Sequence, residues 1–446
     1  MFERIFRLSE NNTTVRTEIL AGLTTFLTMA YIIFVQPAVL STDFAGKPTG
    51  LEFGAVLLAT CLASAIASAV MGLLARYPIA LAPGMGENFF FVSVVMSLTA
   101  LGIADAWRVA LAIVFLSGVA FILLSLVRLR EAVIDGMSRS MSNGIAAGIG
   151  LFIAFIGLHN ANVIVGKPGT MVGLNPHLVS ADFAVFAFGL LVTVLCYARR
   201  IKGSILIGIL TSTILALILG KVKFSGVFGL PEFQHSAAFK MDIRGALSLK
   251  CLPFVIVFLF MVLFDTVGTL VGIAEQAGFT KGGKLPRATQ ALLADAIGTT
   301  VGATLGTSTV TSFIESATGV EQGGRTGLTA LTAAALFLLA TFFSPIVAMV
   351  GKYAPITAPA LIIVGALMMA NARNIDWSDF TEAIPAFLMM IGIPLCFSIA
   401  DGLALGFVSY PVIKLLSGRG REVKGLMYVL ALALALYFIF VRAKLG

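Results

Sequence analysis

The sequence predicts an all-α polytopic membrane protein of about 14 transmembrane elements in two inverted halves, and three observations carry that expectation. The chain of 446 residues is 59% hydrophobic and only 12% charged, with a mean hydropathy of +1.01, more apolar surface than a soluble core of this length buries. Apolar runs of spanning length recur from end to end. Two of them are broken at matching places, about 235 residues apart, and each break is followed by a carboxylate. Broken backbone is tolerated inside a bilayer only where it lines a cavity, and paired breaks in two halves point to a midplane binding site.

The expected spans fall at about 17–40, 52–75, 107–127, 141–159, 181–198, 203–220, 251–276, 286–304, 326–349, 355–372, 380–399 and 424–442. Shorter helices at about 84–97 and 313–320 follow the breaks, and 380–416 counts as one kinked or hairpin-like unit. Basic residues orient the chain. Arg4 and Arg7 precede the first span. Arg128, Arg130 and Arg139 follow the fourth element, Arg199, Arg200 and Lys202 the sixth, and Lys281, Lys284 and Arg287 the eighth. All are cytoplasmic if the N-terminus is, and an odd number of spans per half inverts the second half. One conflict is left: inversion places the Arg419–Lys424 loop outside, while its charge favours inside. Leu57-Leu-Ala-Thr-Cys-Leu-Ala-Ser-Ala before the first break and Leu292-Leu-Ala-Asp-Ala-Ile-Gly-Thr-Thr before the second read as a faint repeat, both rich in small residues.

The first break reads Tyr77-Pro-Ile-Ala-Leu-Ala-Pro-Gly-Met-Gly-Glu-Asn88. Pro78 and Pro83 donate no backbone hydrogen bond, and the Ile79–Ala82 segment between them suits a short strand. Pro83-Gly84 then opens a half-helix. The second break, Gly306-Thr-Ser-Thr-Val-Thr-Ser-Phe-Ile-Glu315, is rich in hydroxyl and β-branched residues, with Ser312 as the expected helix cap. Two opposed half-helices aim their N-terminal N–H groups at one point and make a polar site. The competing reading is two ordinary kinked helices.

Glu315 sits in the expected first turn of its half-helix, where burial disfavours its charge and the helix dipole favours it, the balance a proton carrier needs. Asp265 interrupts an otherwise apolar span at a cost of about 2.5–3.5 kcal/mol, so a functional role is expected; the alternative is an acid held by its threonine neighbours. Glu87 and Asn88 share the first half-helix, and the amide of Asn88 offers both donors and acceptors. Adjacent helical residues point about 100° apart, so an Asn88 that faces the substrate leaves Glu87 facing it only in part. Asp295 reads as a structural acceptor and Arg325 as a loop anchor. Phe89, Phe90, Phe91 and Phe313 either stack a ring or face lipid. Acids and an amide, with no buried Arg or Lys cluster, disfavour an anionic substrate and favour a cation or a planar molecule rich in N–H groups.

Several classes are excluded. The net charge of +8 lies mostly in short loops between spans, so nucleic acid is not an expected partner. Cys61, Cys196, Cys251 and Cys396 are scattered in apolar runs and read as packed thiols. His159, His177 and His235 have no metal spacing, and no cofactor is expected. The polar-amphipathic start, Met1 to Arg7, reads as no cleavable signal.

Ala82-Pro-Gly-Met-Gly-Glu-Asn88, Phe264-Asp-Thr-Val-Gly-Thr-Leu270 and Ser312-Phe-Ile-Glu-Ser-Ala-Thr-Gly-Val-Glu-Gln-Gly-Gly-Arg-Thr-Gly327 resemble signatures of the purine permease branch of the nucleobase–cation symporter (nucleobase–ascorbate transporter) family. The likeness runs from Leu20–Tyr31 to Ile399–Gly406. The resemblance implies 7+7 inverted repeats (1–220 and 221–446), with a core domain at about 14–130 and 250–350 and a gate domain at about 131–220 and 351–446. It implies a proton-coupled, elevator-type importer of adenine, guanine or hypoxanthine, a homodimer in the bacterial inner membrane with its N-terminus cytoplasmic. The family's binding positions fall on Asn88, Asp265 and Glu315, with backbone N–H groups near Asn88 and Ile314. The residue after Gly-Met-Gly is usually apolar in the family, whereas here it is Glu87. Glu315, Asp265 and Glu87 are the candidate proton sites, and Glu87 is also a candidate substrate contact, a hydrogen-bond acceptor that biases the choice of purine. The rivals are an anion transporter of the same architecture, a membrane-embedded enzyme and a channel.

Overall fold

The computed structural model describes residues 2–126, 138–167, 169, 171–230, 236–279, 285–425, 427–428, 431–432 and 434–435. Arg128, Arg130, Lys281, Lys284, His235, the 130/131 domain boundary and most of the expected span at 424–442 lie outside the described residues. Among the described residues, eight helices are long and apolar enough to cross a membrane.

The first expected span is two helices, α1 (Val15–Met29) and α2 (Ile32–Ser41), joined at Ala30–Tyr31. The next, α3 (Phe53–Val70), ends in a π-turn, and its last residues lead into strand β1 (Leu81–Pro83) and the half-helix α4 (Met85–Ala100). α5 (Ala106–Leu126), α6 (Arg139–Asn160), a small hairpin of β2 (Ile164–Lys167) and β3 (Met171–Leu174), α7 (Ala181–Ala198) and α8 (Ser204–Ile218) follow. The second half runs through α9 (Leu252–Ala277), α10 (Ala288–Leu305), β4 (Val310–Ser312) and the short α11 (Ser316–Glu321). It ends with α12 (Gly327–Ala340), α13 (Ser344–Gly351), α14 (Ala354–Met369), α15 (Phe380–Leu395) and α16 (Ile399–Leu416).

These helices pack in two groups. In one, α10 lies against α3 and α5, and α12 against α1 and α3. In the other, α6 packs on α14 and α15, α7 on α8 and α14, and α15 on α16. Small residues set both packings. A Cβ on Gly150 of α6 would stand 2.6 Å from the carbonyl oxygen of Gly365 in α14, so the two backbones touch there. In the first group Gly72 and Gly327 make the equivalent backbone contact.

The loop at 417–424 bears on the orientation conflict. Of the two readings of 380–416, kinked or hairpin-like, the structure shows the hairpin: α15 and α16 lie side by side, so the chain returns to the face it left. There the Arg419 guanidinium donates to Asp379 at 2.8 Å, and the Asp376 N–H donates to the Ser140 hydroxyl at 3.1 Å. The basic loop therefore shares a face with the start of α6, where Arg139 lies. The Thr381 hydroxyl and backbone N–H, with Arg419, hold Asp379 down at about 2, and Arg419 and Lys414 hold Glu422 at about 2. Lys414, 1% exposed, spans Glu382 at 2.9 Å and Glu422 at 2.8 Å.

A carboxylate that sequence reasoning passed over holds the start of α12. Glu18 is fully buried in α1. It accepts from the Arg325 N–H at 2.8 Å, the Thr329 N–H at 3.2 Å and the Thr329 hydroxyl at 2.6 Å. These groups lie at and just before the start of α12. Arg325 is a loop anchor as expected, its guanidinium donating to the carbonyls of Val320 and Gly324. Glu18→Gln keeps an acceptor but removes the charge, and about 1–2 kcal/mol of stability should be lost. A lower thermal midpoint of the purified variant checks this; an unchanged midpoint makes Glu18 dispensable.

None of the four thiols forms a disulfide among the described residues, and two depart from the packed expectation: Cys61 and Cys251 are buried, but Cys196 is half-buried and Cys396 exposed.

Candidate functional site

The two breaks meet. β1 and β4 pair antiparallel, with Leu81 opposite Ser312, Ala82 opposite Thr311 and Pro83 opposite Val310. The strand expected at 79–82 thus forms at 81–83, paired with the other half. The crossing is clamped on both sides. Ser68 of α3 both donates to and accepts from the Leu81 backbone, at 3.1 and 2.8 Å. The Ala80 N–H donates to the Ser316 hydroxyl, and the Phe313 N–H to the Ala80 carbonyl. Asp295 is fully buried in α10 and accepts from the Thr266 hydroxyl of α9 at 2.7 Å, the Ser312 N–H at 2.9 Å and the Ser312 hydroxyl at 2.8 Å. It is the structural acceptor expected from its sequence context, and it ties α9 to β4. Ser312 is consequently not a helix cap. α11 starts four residues later, at Ser316, with Glu315 at its N-cap position rather than in the first turn.

Beside the crossing lies a cavity of about 480 Å³ between the two helix groups. Gly84, Glu87, Asp265, Ile314 and Glu315 line it from the first group, and Asn143, Ile149 and Met368 from the second. It extends to Arg373 and Asn374, which are exposed on the face that carries the 417–424 loop. Asp265 is exposed to the cavity from mid-α9, and the Thr311 side chain hydrogen-bonds to it. Glu315 is half-buried, and the Tyr31 hydroxyl donates to its carboxylate at 2.8 Å. Tyr31 sits at the joint between α1 and α2, 1% exposed. Sequence reasoning missed it, although a phenol inside an apolar run is a polar handle that needs a partner. Ile314 is 51% exposed, bared to the cavity by the irregular turn before α11.

The α4 pair is reversed from expectation. Glu87 lines the cavity and is 3% exposed. Asn88 is fully buried and outside the lining; its carbonyl oxygen accepts from the Ser308 hydroxyl. Ser308 also accepts from the Gln36 amide at 3.1 Å, so Asn88 belongs to a buried polar layer behind the crossing. The phenylalanines correct likewise. Phe89, Phe90 and Phe91 are neither lipid-facing nor in the cavity, being at most 1% exposed. Phe89 packs on Phe44 and Phe152, and Phe90 on Phe258. Phe313 lines the cavity, together with Phe260 and Phe407.

A family model described as a permease family matches residues 16–437. A putative permease of Methanocaldococcus jannaschii is 50% identical over 98% of each chain. A guanine/hypoxanthine permease of Bacillus subtilis, PbuG, is 44% identical over 98% of this chain and 99% of its own. An adenine permease of Escherichia coli, AdeP, is 40% identical over 99% of this chain and 97% of its own. Among solved structures, the transmembrane domain of a cyanobacterial bicarbonate transporter, BicA, superposes with a TM-score of 0.63 at 16% identity, covering 87% of this chain and 96% of that one. That likeness concerns the fold.

Proposed function

The chain belongs to this permease family and is a multi-pass membrane transport protein rather than an enzyme, and on that premise we propose that it imports purine nucleobases in symport with protons. The observation that carries the reading is the cavity. Its volume lies in the small-molecule range of about 300–1,000 Å³. Carboxylates of Asp265 and Glu315 face it, aromatic walls flank it, and Arg373 at its mouth is the one cation in its lining among the described residues. Purines present ring and exocyclic N–H groups on a flat, stackable frame. Asp265 accepts a pair of such N–H groups, Phe260, Phe313 or Phe407 stacks the ring, and the backbone N–H at Ile314 meets a ring acceptor. Glu315 exchanges the coupling proton, steadied by Tyr31. Asn88 acts from behind the crossing by holding α4 to Ser308.

Relatives named for adenine and for guanine/hypoxanthine support the purine class. The rival of the same architecture is an anion carrier, and BicA is named for bicarbonate. The carboxylates in this cavity oppose that substrate.

Alternating access follows in this reading from the two helix groups: a core at about 14–130 and 250–350 carries the site past a gate at about 131–220 and 351–446. Residues 1–220 and 221–446 are the inverted halves. The gate is the natural dimer surface, and the membrane is the bacterial inner membrane with the N-terminus cytoplasmic. With that orientation the cavity opens inward.

Uptake of labelled hypoxanthine into proteoliposomes tests the whole. Unlabelled adenine, guanine and hypoxanthine should compete, uracil should not, and a protonophore should abolish accumulation. Accumulation that follows a Na⁺ gradient and ignores the pH gradient would remove the proton from the scheme. Failure of every purine to compete would remove the substrate class.

A further inference from the structure

Gly268 is a glycine that packing does not explain. It lies well inside α9, where glycine is a poorer helix residue than any but proline. Its φ is outside the left-handed region, so no turn requires it. In other helix interiors a neighbour takes the place of the missing side chain. A Cβ on Gly150 would stand 2.6 Å from the carbonyl oxygen of Gly365, one on Gly298 2.8 Å from the Cβ of Ala67, and one on Gly302 2.8 Å from a methyl of Val310. A Cβ on Gly268 meets no atom of the described residues within 4 Å. The other described glycines with such open surroundings lie in loops or at helix ends.

The space over Gly268 belongs to the cavity. Gly268 lines it as Asp265 does, and both are exposed there. Asp265, Gly268 and Gly272 are three and four residues apart, so they follow one another along one face of α9. Ile314, which also lines the cavity, stands at the far end: a Cβ on Gly272 would lie 3.6 Å from its Cδ1, an ordinary contact. Helical side chains lean toward the N-terminus of their helix, so one at 268 would project over the turn that carries Asp265. The floor between that carboxylate and the turn before α11 is thus bare backbone.

We propose that Gly268 is a substrate-contact residue: the base lies across it, between Asp265 and Ile314, and the missing side chain fixes the room that the ring has. This deepens the nucleobase reading and rests on it. Glycine is the ordinary choice where backbone and ligand approach closely. A ring that bonds Asp265 at one edge and the backbone N–H of Ile314 at the other passes over position 268. A methyl group there lifts the ring from one of its partners, and a branched side chain blocks it.

The test is displacement of labelled hypoxanthine by unlabelled hypoxanthine from purified full-length protein, in wild type, Gly268→Ala and Gly268→Val. Affinity should fall about 3–10-fold in Gly268→Ala and about 10–100-fold in Gly268→Val. The ligand-free thermal midpoint of Gly268→Ala should match or exceed wild type, because alanine is the best helix former and its methyl strikes no described neighbour. Affinity lost with the midpoint kept separates a contact residue from a packing one. Affinity within about twofold of wild type in Gly268→Val overturns the proposal. If that variant binds normally but no longer transports, the space serves the movement of the two helix groups, and the contact is overturned as well. Should Gly268→Val not fold, Gly268→Ala decides, and wild-type affinity there overturns the proposal. If hypoxanthine fails to bind the wild-type protein, the nucleobase reading falls first. If it binds wild type and both variants alike, this inference falls alone.

Discussion

Asp265→Asn should weaken purine binding about 10–150-fold while the protein still reaches the membrane. The range corresponds to about 1.5–3 kcal/mol for hydrogen bonds that one charged partner makes. Survival of the fold is expected because Asp265 is exposed to the cavity from the middle of α9. Besides the bond between the Thr311 side chain and Asp265, α9 is tied to β4 by its neighbour, Thr266, through Asp295. Asp265→Asn therefore removes a charge from the cavity wall and leaves the strand crossing clamped. Binding isotherms on purified protein check it, and an unchanged affinity for hypoxanthine would take Asp265 out of recognition. The same measurement on Asp295→Asn gives the contrast. There the loss should appear as instability, because the Ser312 N–H and two hydroxyls depend on that carboxylate.

Glu315→Gln should abolish accumulation driven by a pH gradient yet preserve exchange of labelled for unlabelled purine. Exchange needs a cavity of the right shape; accumulation needs a group that gains and loses a proton as access alternates. Glutamine keeps an acceptor for the Tyr31 hydroxyl, so the joint between α1 and α2 stays seated on the turn before α11. Nothing titratable is left at that position. Proteoliposomes with an imposed pH gradient separate the two activities. Wild-type accumulation in Glu315→Gln would place the coupling proton on Asp265 or Glu87, the two other carboxylates of the cavity.

Composition and the order of apolar runs were enough to determine the class of this protein, because a bilayer admits only long apolar helices and punishes every departure from them. The same rule makes departures legible. The breaks after Tyr77 and Gly306, the lone acid at 265 and the hydroxyl-rich stretch before Glu315 all stand out against an apolar background, and the tertiary structure brings them to one crossing. Three features needed that structure. The sequence leaves 380–416 either kinked or hairpin-like, because apolar content barely changes at 396–398, and only the packing of α15 on α16 decides for the hairpin. Glu18 looks like an ordinary first-turn acid until α12 is seen to begin against it, some 307 residues away in sequence. Glu87 and Asn88 are adjacent polar residues on one helix, and nothing local says which of them turns inward. That choice is made by Ser308 and Gln36, which take up Asn88 from behind, and by Gly84, whose missing side chain leaves room for the Glu87 carboxyl at the helix end. A sequence records which groups must escape the lipid; where each finds its partner is a property of the packed chain, because the partners come from the other half.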